Sequence, residues 1–172
     1  LDVFFGNFGR ADLLYVNGGY NSSTQSLTLS PDWASSTSTL TTSSAFGDID
    51  SNGALDIAIG TVHFYPPQVF SPKGPTSSPN WSSTSTDYHP DVALGDVDGT
   101  GGADLAAATA TTNGRDSIYV SERRGMRDSF TVTDAKKRFD VAWGDWDNDG
   151  DLDLAAAVQG GSGTDEVYVN TG

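Results

Sequence analysis

Ala142-Trp143-Gly144-Asp145-Trp146-Asp147-Asn148-Asp149-Gly150-Asp151-Leu152-Asp153-Leu154-Ala155-Ala156-Ala157-Val158 is the stretch that decides the fold. A short apolar run ends in Gly-Asp. Asp then falls on alternate positions through a turn, and a second apolar run of five follows. Neither run is long enough for a stable helix, and each has the length of a buried strand. The same grammar occurs twice upstream, in Ala45-Phe46-Gly47-Asp48-Ile49-Asp50-Ser51-Asn52-Gly53-Ala54-Leu55-Asp56-Ile57-Ala58 and from Ala93-Leu94-Gly95-Asp96 to Asp104-Leu105-Ala106. The leading Asp stands at 48, 96 and 145, a step of 48 and then 49.

Other features keep that step. Trp33, Trp81 and Phe130 recur at 48 and 49, with Pro31 and Pro79 two residues before the tryptophans. Val69-Phe70-Ser71, Ile118-Tyr119-Val120 and Val167-Tyr168-Val169 recur at 49 and 49. Three features in one register define an internal repeat. A shortened copy opens the chain at Gly6-Asn7-Phe8-Gly9-Arg10-Ala11-Asp12-Leu13-Leu14, with three loop residues missing; residues 15–30 align with nothing unambiguously. The expected units are 1–40 (degenerate), 41–89, 90–138 and 139–172, within one repeat domain. Each full unit reads as four short strands, and about 45 residues for four strands is the arithmetic of a β-propeller blade. The expected fold class is therefore all-β, with propeller-type blades of four-stranded antiparallel sheets.

The Asp-rich turns read as metal sites. Asp48, Asp50, Asn52 and Asp56 occupy loop positions 1, 3, 5 and 9, and Asp145, Asp147, Asp149 and Asp153 do the same. Asp96, Asp98, Thr100 and Asp104 form the middle version. In a tight turn every second side chain points to one centre. Position 7 (Ala54, Gly102, Asp151) offers a carbonyl, and position 9 closes the shell. Hard oxygen donors at this density select Ca²⁺, about three ions in all. The competing reading is a solvated acidic turn without metal. Thr100 is a weaker ligand, and Gly99 and Gly101 read as disturbing the pattern. Residues 7–12 lack positions 3 and 5, so no ion is expected there.

Composition narrows the function. The 172 residues carry 9 Lys+Arg against 23 Asp+Glu, for a formal charge of −14. That balance argues against a nucleic-acid partner, because phosphate contacts need clustered cations. Eleven of the 23 acids lie in the three loops, and three divalent ions adding two charges each would take −14 to −8. With no Cys, thiolate metal sites and Cys nucleophiles are excluded. No apolar run is long enough to insert into a membrane. The chain opens at Leu1 without a signal-like segment and reads as a processed product or an excerpt. Its Ser/Thr/Gly-rich, Lys-poor composition suits a secreted or cell-surface location.

These residues resemble the FG-GAP/VCBS repeats, the calcium-binding repeats of integrin-α-like β-propellers. The match rests on 46–56, 94–105 and 143–155, with Val167-Tyr168-Val169-Asn170 and the Pro-x-Trp strand in support. The resemblance implies calcium-binding blades in a molecule of about seven blades. It leaves function open among adhesion, lectin activity and non-catalytic parts of secreted enzymes. With under four units, three arrangements are open: a piece of a larger propeller, a closed ring of four, or copies that complete one another through the missing outer strand of the last unit.

The leading expectation is a calcium-stabilised, non-catalytic module for binding, adhesion or assembly, with itself or with a protein or glycan partner. A carbohydrate-binding alternative would use exposed aromatics: Trp146, Tyr65 and Tyr88, with Trp33 and Trp81 more suited to packing between blades. No enzyme is expected. His63 and His89, the only histidines, read as outside the repeat register, and the paired Asp residues are absorbed by the loops. Asn21-Ser22-Ser23 and Asn80-Trp81-Ser82 match the glycosylation triplet. Six of the nine cations lie in 123–127 and 136–138, read as solvated loops.

Overall fold

The computed structural model describes every residue except 63–64, 75, 112–115, 123–124, 133–135 and 161–163. His63, Arg123, Arg124 and Thr133 therefore lie outside the described residues. Fourteen strands form four antiparallel sheets, and there is no helix among the described residues. The first sheet contains β1 (Val3–Phe5), β2 (Leu13–Asn21) and β3 (Ser26–Ala34). The second contains β4 (Thr41–Gly47), β5 (Asp56–Thr61), β6 (Gln68–Phe70) and β7 (Trp81–Ser82). The third contains β8 (Val92–Gly95), β9 (Asp104–Ala107), β10 (Ser117–Glu122) and β11 (Gly125–Thr131). The fourth contains β12 (Lys137–Gly144), β13 (Asp153–Gln159) and β14 (Glu166–Tyr168). Strands neighbouring in sequence are neighbours in each sheet, so every sheet is a simple meander.

The registers are superimposable. Phe5 pairs with Leu13, Phe46 with Ile57, Leu94 with Leu105 and Trp143 with Leu154. Side chains alternate across a strand, so each sheet has two faces. Three apolar layers lie between successive sheets. Leu14, Phe4 and Trp33 of the first sheet meet Ile57, Ile59 and Phe70 of the second. Ala45, Ala58, Val69 and Trp81 of the second meet Val92, Leu94, Leu105, Ala107 and Tyr119 of the third. Ala93, Ala106, Ala108 and Ile118 of the third meet Val141, Trp143, Leu154, Ala156 and Tyr168 of the fourth. In the last layer the forward face is mostly alanine and receives larger residues. Truncating Leu105 or Leu154, both buried, to alanine would cost roughly 2–5 kcal/mol.

Glycines set how closely the sheets approach. A Cβ on Gly47 would lie 3.0 Å from Leu94 Cδ1, and one on Gly95 would lie 2.9 Å from Trp143 Cδ1. Leu94 and Trp143, each one residue before the end of its sheet's first strand, thus sit over the glycine that ends the first strand of the sheet before; in the first sheet the equivalent Gly6 meets Thr41 instead.

The first sheet departs from the others. Residues 15–30, which sequence alone leaves unaligned, form one long β2–β3 hairpin, and Trp33 pairs directly with Leu14. Trp33 thereby occupies the third-strand place held by Val69 on Ala58 and by Ile118 on Ala106, although its spacing matches Trp81 of the fourth strand. The Asn21 triplet lies at the exposed hairpin turn, where Asn21 Oδ1 accepts from the N–H groups of Ser23 and Thr24.

Candidate metal centres

The three Asp-rich loops connect the first two strands of the second, third and fourth sheets. Their backbones share one conformation. Position 4 has a left-handed φ in each (Ser51 56°, Gly99 68°, Asn148 62°), and so does position 6 (Gly53 84°, Gly101 93°, Gly150 102°). Gly99, which differs in residue type from Ser51 and Asn148, therefore follows them by conformation, and Gly101 matches Gly53 and Gly150 in both. They fill the two places where a side chain is most costly. Position 1 ties the turn down: Asp48 accepts from Asn52 and Gly53 N–H, and Asp145 from Asp149 and Gly150 N–H.

The ninth position does more than close a shell. Asp104 is fully buried; its Oδ2 accepts from Val97 N–H (2.8 Å) and its Oδ1 from Ser121 N–H on the third strand. Asp153 accepts from Trp146 N–H (2.7 Å) and Asn170 N–H (2.8 Å) in the same way. Asp56 accepts from Ile49 N–H (3.0 Å). The shortened first loop keeps this clamp: Asp12, also fully buried, accepts from Asn7 N–H and from the Thr41 hydroxyl. Sequence reasoning assigned position 9 to metal alone and missed this structural role.

Carboxylates converge at each loop. Asp48, Asp50 and Asp56, then Asp96, Asp98 and Asp104, then Asp145, Asp147 and Asp149 each offer an oxygen within 4.8 Å of the others. Asp151 and Asp153 lie outside the third group; both Asp153 oxygens receive backbone N–H groups, as both Asp104 oxygens do within the second. Burial raises the Asp56 and Asp104 carboxyls above the ordinary range, with the Asp50 and Asp98 charges adding to it. Asp147 is raised by lost solvation, then by the charges of Asp149, Asp153 and Asp145. Asp96 Oδ1 is buried and has no hydrogen-bond partner among the described residues. An orphaned anionic oxygen among carboxylates fits a cation, and an all-oxygen donor set fits a hard divalent one. These three groups can hold metal ions. Asn52, Thr100 and the position-7 residues Ala54 and Gly102 flank them in sequence. Gly102 packs too tightly against Ser121 and Ile49 for any side chain.

The aromatic candidates do not share a site. Trp146 is 73% exposed on the third loop. Tyr65 follows β5 and Tyr88 precedes β8, at the strand ends away from the loops. Tyr88 packs edge-on against Phe139 at 6.1 Å, and Tyr65 accepts from the Thr61 hydroxyl through its backbone carbonyl. Trp33 packs on Phe70 and Trp81 on Tyr119 between sheets.

His89 corrects the sequence reading. It stands one step of 49 after Leu40 and 49 before Arg138. Its N–H bonds Thr61 as that of Arg138 bonds Thr109. It is fully buried, with Nε2 2.8 Å from the Ser85 hydroxyl and Nδ1 3.1 Å from the Ala108 carbonyl. Burial holds its imidazole below the ordinary range. Arg138 is likewise buried rather than solvated, paired with Asp116 at 3.0 Å and Glu166 at 2.6 Å. Lys136 also pairs with Glu166.

No protein-family model matches the chain, and no curated protein matches it.

Proposed function

We propose that the chain is a calcium-stabilised, non-catalytic extracellular module of propeller-type blades, acting in binding, adhesion or assembly. The observation that carries this is the threefold loop: one backbone conformation, with left-handed residues at positions 4 and 6, gathers three carboxylates in each of three consecutive sheets. Asp48, Asp50 and Asp56 would hold one ion, Asp96, Asp98 and Asp104 a second, and Asp145, Asp147 and Asp149 a third. Bound calcium would neutralise carboxylates that otherwise repel one another and would lock the turn between two strands. Extracellular calcium suffices for sites of about 10⁻⁴–10⁻³ M affinity. The buried, backbone-bound setting of His89 suits a packing role, and the FG-GAP/VCBS resemblance agrees with calcium and blades.

The test is thermal melting in calcium and in chelator. Each site at about 100-fold excess over its Kd adds roughly 2.7 kcal/mol. Three sites would raise the melting temperature by well over ten degrees at roughly 2–4 °C per kcal/mol. An unchanged melting temperature would overturn the calcium reading.

A carbohydrate-binding reading is favoured by one observation, the exposed Trp146 indole. A glycan array showing binding that Trp146→Ala abolishes would establish it. An array without hits would remove it.

A further inference from the structure

The stack of sheets has two free faces, and they match. Every forward face but the last is covered. Ala93, Ala106, Ala108 and Ile118 of the third sheet lie under the fourth. Their register equivalents in the fourth sheet are Ala142, Ala155, Ala157 and Val167, by the pairings Ala93–Ala106 and Ala142–Ala155, Ala106–Ile118 and Ala155–Val167. All four are exposed and line a shallow apolar depression. At the other end, the rear face of the first sheet carries Val3, Phe5, Leu13 and Tyr15, the equivalents of Val92, Leu94, Leu105 and Ala107. None of the four belongs to a core cluster of the described residues. Phe5 is 48% exposed and packs edge-on with Tyr15 at 5.6 Å.

The glycine cradle gives a second, independent sign. Gly47 is covered by Leu94, and Gly95 by Trp143. Gly144 is the next in register, and a Cβ there would meet nothing within 4 Å among the described residues. Phe46 and Phe5 stand in register with Leu94 and Trp143; Phe46 leaves Gly6 to the Thr41 side chain, and Phe5 meets no glycine among the described residues.

We infer that the 172-residue chain self-associates head to tail, the rear face of one copy's first sheet packing on the forward face of another's fourth, with Phe5 over Gly144. The occupant is a second copy because this would continue, in kind and in register, an interface the molecule already makes internally. Such an interface is heterologous and adds copies in series or closes a ring. The inference rests on the stacked-blade part of the proposed function and not on calcium.

Light scattering against concentration tests it, with three variants. Gly144→Leu fills an open cradle at a residue whose φ is not left-handed, so the fold should be kept. Ala155→Glu charges the same face, and Phe5→Glu charges the other. The wild type should grow beyond two copies with concentration. Each variant alone should remain a single chain, with wild-type circular dichroism. A mixture of Gly144→Leu and Phe5→Glu, which retains one intact face of each kind, should stop at two chains. A wild type that stays a single chain at every concentration overturns the inference. So does a two-copy limit that survives Phe5→Glu, which would mean that like faces pair. Neither result depends on the chelator melt, so the calcium reading fails or stands separately.

Discussion

The loop at residues 7–12 and the loop at 145–153 close equivalent strand pairs with different chemistry. In both, a buried Asp clamps the start of the turn at the same 2.7 Å: Asn7 N–H on Asp12 and Trp146 N–H on Asp153. Only the second gathers three further carboxylates. In the first, the Asn7 side-chain amide reaches across to the Ala11 carbonyl at 2.6 Å and braces the turn from within. Turn closure and ion binding are therefore separable. In the third loop Asp153 belongs to closure while Asp145, Asp147 and Asp149 are what an ion would need; Asp56 and Asp104 take part in both.

Removing the clamp is expected to have the largest effect. Asp104→Ala strands two half-buried backbone donors, Val97 N–H and Ser121 N–H, beside the space left by a buried carboxylate. Each costs about 1–3 kcal/mol. At roughly 2–4 °C per kcal/mol the melting temperature should fall by about ten degrees in chelator as well as in calcium. Asp12→Ala should behave alike, with a loss independent of calcium. A loss seen only in calcium would mean that these carboxylates serve the ion alone, and the separation would be broken.

Asp147→Ala probes the other half. Its carboxyl is exposed and sits among like charges. Calorimetric titration should show one of three calcium sites weakened by about tenfold or more, in line with the 10–100-fold cost of losing even an outer partner. The melting temperature in chelator should hold or rise slightly, since a repulsion is removed. A fall in chelator comparable to that of Asp104→Ala would show that the third loop is not divided between closure and ion binding.

Much of this was legible in the residues. The alternating Asp at 48, 50, 96, 98, 145, 147 and 149 marked the loops, and the short apolar runs marked strands. The clamp made by Asp56, Asp104 and Asp153 was not legible, because their partners are backbone N–H groups, which carry no residue type. Gly99 and Gly101 misled for the opposite reason: they read as disturbing the pattern, yet they answer a backbone requirement at positions 4 and 6. His89 and Arg138 hid because their side chains differ, while what repeats is a buried polar group at or just before the first strand of a sheet. The hairpin of residues 13–34 hid because it replaces two strands by one and so breaks the spacing.

That second pair gives a smaller prediction. Burial holds the His89 imidazole below its ordinary range, against the opposing Ala108 carbonyl and the Asp87 charge. The folded state keeps it neutral, while the unfolded chain takes up the proton as pH falls through about 6.5. Its contribution is thus full above that pH and declines below it, until the folded imidazole is protonated too. The buried Asp12, Asp56 and Asp104, raised by desolvation, act with the opposite sign. The difference between wild type and His89→Leu, which copies Leu40 one unit earlier, isolates the histidine. The stability gap should move against the wild type on acidification. A gap that stays constant from neutral pH down through that range would show that the buried imidazole is not proton-linked to folding.

The smallest expected effect compares position 4 across the loops. Ser51 holds a φ of 56° there, Asn148 62° and Gly99 68°. A serine in the left-handed region carries a strain of roughly 1–2 kcal/mol, which asparagine relieves in part through its local hydrogen bonding. Glycine removes the strain but adds freedom to the unfolded chain, worth roughly 0.5–1 kcal/mol. Ser51→Gly should therefore gain a few tenths of a kcal/mol, and Asn148→Gly should gain nothing or lose slightly. Neither should change calcium affinity much, because position 4 contributes no carboxylate to the three groups. Should Ser51→Gly instead lower stability, the left-handed turn would have to be held by more than its own backbone preference. The threefold identity of the loops would then rest on the bound ion rather than on the glycines and the Asp clamp.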